Sequence, residues 1–65
     1  MRIARITKKK DGSFEIKDAN SETIYLTGTV IKSRREAIDI LRYEATNYRD
    51  AFRGYLTPKG NVVKF

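Results

Sequence analysis

Arg35, Arg42 and Arg49 recur every seventh residue in the stretch SRREAIDILRYEATNYR, residues 33–49. On a helix that interval returns each guanidinium to within about 40° of the others and about 10 Å further along the axis. Planar, permanently charged forks in a row suit oxyanions, either the phosphates of a nucleic acid or the carboxylates of an acidic protein. A plainer use is open too. Asp39 stands four residues after Arg35 and three before Arg42. Ion pairs there, worth about 0.2–0.5 kcal/mol each, would only keep the helix soluble.

Lys8, Lys9 and Lys10 form a second basic group, at the end of MRIARITKKK. Residues 1–10 carry +5, residues 11–32 sum to −2, 33–53 to +1 and 54–65 to +2, giving the formal net charge of +6. The lysine run either contacts phosphates without reading sequence or solvates a turn. A third group, Thr23, Tyr25, Thr27 and Thr29 in a row with Lys17 on the neighbouring strand, is expected on an outward sheet face. Such a face can donate to phosphates or base edges, although strand propensity alone also favours threonine there. Ile40 and Tyr43 fall on the helix side away from the expected core. They would make a small apolar patch for a protein partner or a second copy, or be covered by the C-terminal hairpin.

The chain of 65 residues has no histidine and no cysteine, so thiolate metal sites and His-based nucleophile pairs are excluded. Its eight acids are scattered, with no pair spaced for acid–base or metal work. No phosphate-loop glycine pattern is present. The expectation is therefore a single domain, 1–65, that is not an enzyme and needs no cofactor or metal. No apolar run approaches the roughly 18 residues of a membrane span, and the first ten residues lack the apolar core of a secretory signal. A soluble, cytoplasmic protein without a membrane partner is expected.

The elements that must position these residues follow from periodicity and turn chemistry. Residues 2–7 and 13–18 read as strands joined by an Asp11-Gly12 hairpin turn. Residues 23–31 alternate, with Ile24, Leu26 and Val30 inward and Tyr25, Thr27 and Thr29 outward. Ser33 and Glu36 form a capping box that starts a helix ending near Asp50. Its buried arc would hold Ile38, Leu41, Ala45, Tyr48 and Phe52. Residues 54–65 read as two short strands around Pro58-Lys59-Gly60-Asn61. The expected fold is α+β: a three-stranded antiparallel meander packed on one helix, with a short C-terminal β-hairpin extending or capping the sheet. The expected core is Phe14, Ile16, Ile24, Leu26, Val30, Ile38, Leu41 and Tyr48.

With DGSFEIKD, TIYLTGTV and KSRREAIDIL, the chain resembles the arm-type DNA-binding domain of phage and transposon tyrosine integrases. Gly12, Phe14 and SRREA (33–37) carry that resemblance. It is also similar, through FEIKDANSETI (14–24) and KSRREA (32–37), to the YegP-like family of short strand-strand-helix proteins. The first resemblance implies a sheet face in a DNA major groove, with Lys17, Tyr25 and Thr27 as its contacts. The favoured expectation is a small basic DNA-binding module. The alternative is an accessory or inhibitor module that binds an acidic protein surface, and a homo-oligomer is a third possibility.

Overall fold

A computed structural model describes residues 2–65. Strands β1 (Ile3–Lys8) and β2 (Phe14–Asp18) pair antiparallel, in the register Ala4↔Asp18 to Lys8↔Phe14. Their turn closes through Lys9 N–H on the Ser13 carbonyl at 2.7 Å, and Asp11 accepts from the Ser13 N–H at 2.9 Å. Gly12 holds φ 91 there, a region open to glycine at no steric cost. β3 (Ile24–Tyr25) pairs antiparallel with β2. After helix α1 (Arg34–Asn47) come β4 (Gly54–Leu56) and β5 (Val62–Lys64), an antiparallel hairpin.

β4 lies beside β1 and parallel to it, Ile3↔Gly54 to Arg5↔Leu56, so the sheet order is β3-β2-β1-β4-β5. The fold is α+β with one helix, as expected, but its sheet is five-stranded and mixed. The expected antiparallel meander forms only part of it, because the C-terminal hairpin inserts its first strand against the N-terminal strand. Parallel neighbours need a long crossover, and α1 supplies it.

The helix start follows the sequence. The Ser33 hydroxyl accepts from Glu36 N–H at 3.0 Å, while Glu36 Oε1 accepts from the Lys32 N–H at 3.4 Å. The end comes earlier than Asp50. Tyr48 is already extended (φ −132, ψ 138), and the Arg53 guanidinium donates to the carbonyls of Ala45, Tyr48 and Arg49 at 2.6–2.7 Å. Helix ends leave their last carbonyls unpaired, and Arg53 satisfies that of Ala45 together with those of Tyr48 and Arg49 just past the end. Tyr48 therefore leaves the buried arc and is 57% exposed. Phe52 is buried, but from the connecting loop.

The largest departure is residues 23–31. Only Ile24 and Tyr25 form a strand, with Tyr25 opposite Ile16 and Ile24 opposite Lys17. Side chains alternate along a strand, so this one-residue offset swaps the two faces. Tyr25 turns toward the helix and Ile24 toward the open face, where it is 43% exposed. Leu26 (φ 59) and Gly28 (φ 90) then reverse the chain. It returns at Ile31, whose carbonyl accepts from Phe14 N–H at 2.8 Å. Leu26 is only half-buried and Val30 is 69% exposed. The core is instead Ala4, Ile6, Ile16, Ile31, Ala37, Leu41 and Phe52, with Phe14, Tyr25, Ile38, Ile40 and Tyr55 packed against it.

Two substitutions test this packing. Leu41→Ala should cost about 2–5 kcal/mol in urea unfolding, most of the stability of so small a domain. Gly54→Ala tests the fit of β4 between β5 and β1: a Cβ there would lie 2.6 Å from the Val63 carbonyl oxygen and 3.3 Å from Ile3 Cδ1. It should destabilise by about 1–3 kcal/mol and shift the Ile3 and Val63 amide resonances.

Candidate polyanion interface

The arginine stripe shrinks to two. Arg49 lies beyond the helix end, exposed, with its carbonyl bound by Arg53. Arg35 and Arg42 remain on one flank. Both reach the same carboxylate, Arg35 Nε to Asp39 Oδ1 at 3.5 Å and Arg42 Nη1 to the same oxygen at 3.8 Å. The pairs are exposed and add little stability, but one of the two positive charges is locally offset. Arg42 also stands 5.8 Å over the Phe65 ring.

The open sheet face is self-neutralised. Glu22 accepts from Arg5 Nη2 at 2.6 Å and from Lys17 Nζ at 3.1 Å, and Lys17 lies 3.5 Å from Glu15. Two cations thus face two carboxylates, where a groove-binding face needs net positive charge. Tyr25 is absent from this face. Its ring meets Phe52 edge-on at 5.4 Å, and its hydroxyl bonds Glu44 Oε1 at 3.4 Å. Burial, then the Glu44 charge, raises its phenol pKa. Thr27 sits in the turn after β3, exposed, sharing a shallow cleft with Lys9. The expected trio of Lys17, Tyr25 and Thr27 is therefore not assembled.

Ile40 is half-buried against the core, not opposite it. Glu44, on the same helix flank, meets Tyr25 of β3, so the β3 side of the sheet covers this flank. Tyr43 stays 64% exposed, and the two do not make a patch.

What the topology does assemble is a basic end. β1 and β4 are parallel, so the β1–β2 turn with Lys8, Lys9 and Lys10 and the β4–β5 turn with Lys59 project from the same end of the sheet. Arg34 ties the helix start to it, donating to the carbonyls of Ile6 at 3.4 Å and Leu56 at 2.8 Å. The Phe14↔Ile31 bridge brings Lys32 alongside. Lys8, Lys9, Lys10, Lys32 and Lys59 are exposed, and among the described residues none of them joins an ion pair. The nearby acids are engaged: Asp11 accepts from Ser13, which lowers its pKa, and Glu36 caps the helix. The sequence reading named three of these lysines but missed Lys32, Lys59 and the clamp Arg34. Charge spacing along the chain carried no sign of which would meet.

Among the described residues, no group of His, Cys, Asp or Glu is placed to hold a metal ion, and no helix is long and apolar enough to cross a membrane. Compared with protein-family models, curated proteins and solved structures, the chain matches none.

The Arg5–Glu22–Lys17 network predicts a pH window. Hydrogen bonds from Arg5, then Lys17, hold the Glu22 carboxyl below its ordinary range, and Glu22 raises Lys17. Glu22's contribution is complete above the unfolded carboxylate pKa and is lost as pH falls through its lowered folded value. The Lys17 share is complete below the unfolded lysine pKa and is lost as pH rises through the raised one. A carbon-detected NMR titration should place the Glu22 midpoint below the ordinary carboxylate range, moving up toward it in Arg5→Gln.

Proposed function

We propose that this protein is a small, non-enzymatic nucleic-acid-binding module, acting on DNA in the cytoplasm through the basic end of its sheet. The observation that carries the reading is the convergence of Lys8, Lys9, Lys10, Lys32 and Lys59, free of ion pairs, from three separate segments onto one end. Lysines on turns contact phosphates as point charges, with no fixed fork to select a base. Binding of this kind is electrostatic, salt-dependent and tolerant of sequence.

The resemblance to the arm-type integrase domain supports DNA as the ligand, but the contact we place differs from the one it implies. The open sheet face around Lys17 is neutralised by Glu15 and Glu22, whereas the lysine end is not. Arg35 and Arg42, two turns apart on the helix and both paired with Asp39, contribute less.

The test is fluorescence anisotropy with random duplex DNA at two salt concentrations. Wild type should bind at low salt and release as salt rises. Lys9→Ala and Lys10→Ala should each weaken binding to all sequences alike and shrink the salt slope by about one unit. Arg42→Ala should change affinity much less. No wild-type binding at low salt would reject the nucleic-acid reading.

A further inference from the structure

β5 is the outer strand of the sheet, and its free edge is open. The ladder fixes which groups it presents. Thr57 N–H donates to Asn61 O at 2.8 Å and Phe65 N–H to Arg53 O at 3.0 Å. Hydrogen-bonded pairs alternate along an antiparallel ladder, so Val63 is turned to β4. The N–H and C=O groups of Val62 and Lys64 point away from it. The opposite edge offers no equivalent: β3 has two residues and the chain turns back at Leu26 and Gly28.

The surroundings of the β5 edge are apolar and cationic. Val62 and Val63 are exposed, on opposite faces. Phe65 packs against Tyr55 at 5.7 Å and lies under the Arg42 guanidinium. Lys64 is on the strand, Lys59 in its turn, and Arg35 shares the helix flank of Arg42. Asp39 is the acid on that flank, and it is already taken by the two arginines. Sheet edges are usually blunted against strand addition, and here Lys64 is the one charged side chain in the strand.

We propose that the β5 edge docks an extended acidic segment of another protein by strand addition, with Arg35 and Arg42 facing its carboxylates. Main-chain bonds to Val62 and Lys64 supply the pairing, while Val63, Phe65 and the arginines read alternate side chains on one face. A second copy is a poor occupant. It carries the same +6 charge, and edge-to-edge pairing would bring two Lys64-bearing strands together. This surface touches the basic end only at Lys59, is separate from the lysine turn at Lys8–Lys10, and does not depend on DNA binding there.

The probe is a labelled peptide of alternating glutamate and valine, with a lysine–valine peptide as control. The acidic peptide should bind, saturably, and slow hydrogen exchange of the Val62 and Lys64 amides while leaving Val63 as it was. Val62→Pro removes one outward donor without touching the β4 ladder, a position where an edge strand tolerates proline. It should weaken peptide binding at least tenfold and leave affinity for random duplex DNA unchanged. Arg42→Ala should weaken peptide binding several-fold. The proposal is overturned if the acidic peptide does not bind, if Val62→Pro binds it as well as wild type, or if protection appears at the Lys8–Lys10 turn instead. Should Val62→Pro fail to fold, the wild-type exchange pattern decides: no slowing at Val62 and Lys64 overturns the proposal. Competition of duplex DNA for these same two amides would make the edge a nucleic-acid contact and equally overturn it.

Discussion

The parallel pairing of β1 with β4 is the constraint on which the rest of the molecule depends. It sets the N-terminal strand beside the first strand of the C-terminal hairpin, so the helix has to cross the sheet to lead the chain from β3 to β4. Gly54 lets β5 close onto β4 on the other side, since any side chain there would strike the Val63 carbonyl. Two arginines secure the crossover at both helix ends. Arg34 spans the carbonyls of Ile6 and Leu56 where β1 and β4 run out. Arg53 gathers the carbonyls of Ala45, Tyr48 and Arg49 at the helix end, while its own N–H donates to the Arg2 carbonyl at 2.8 Å.

This arrangement divides the basic residues by type. Arginine's rigid fork suits carbonyl and carboxylate clamps inside the fold. Arg2 lies over Phe52 at 4.3 Å and donates to the Asp50 carbonyl, and Arg5 joins the Glu22 network. Lysines, with the exception of Lys17, stand on turns and edges with their ammonium groups in water. The charge available to a polyanion is thus lysine charge, concentrated where the parallel pair ends, while Arg35 and Arg42 overlook the β5 edge. Two differently shaped basic surfaces result from one topology.

Sequence alone reveals the local features. The Asp11-Gly12 turn, the β1–β2 hairpin and the Ser33–Glu36 cap are each written within a few neighbouring residues, and each forms where expected. What requires a partner across the fold is not legible. The period-two pattern of 23–31 is compatible with either face inward, and the pairing Tyr25↔Ile16 decides it. The helix end at Asn47 depends on Arg53, six residues beyond it and outside the helical pattern. The seven-residue arginine spacing is a true helical pattern for Arg35 and Arg42, but Arg49 falls past the cap. Lys32 and Lys59 are far apart in sequence, and only the strand order makes them neighbours of Lys8–Lys10.

The most direct test of this account is an amide chemical-shift map of the labelled protein titrated with random duplex DNA at low salt. A site built by the β1–β4 pairing should shift three segments together: the turn 8–13, the amides around Lys32, and the turn 57–61. The open face at Thr7, Glu15 and Lys17 should stay still. Shifts centred on that open face, or confined to the 8–13 turn with Lys32 and Lys59 unmoved, would contradict it.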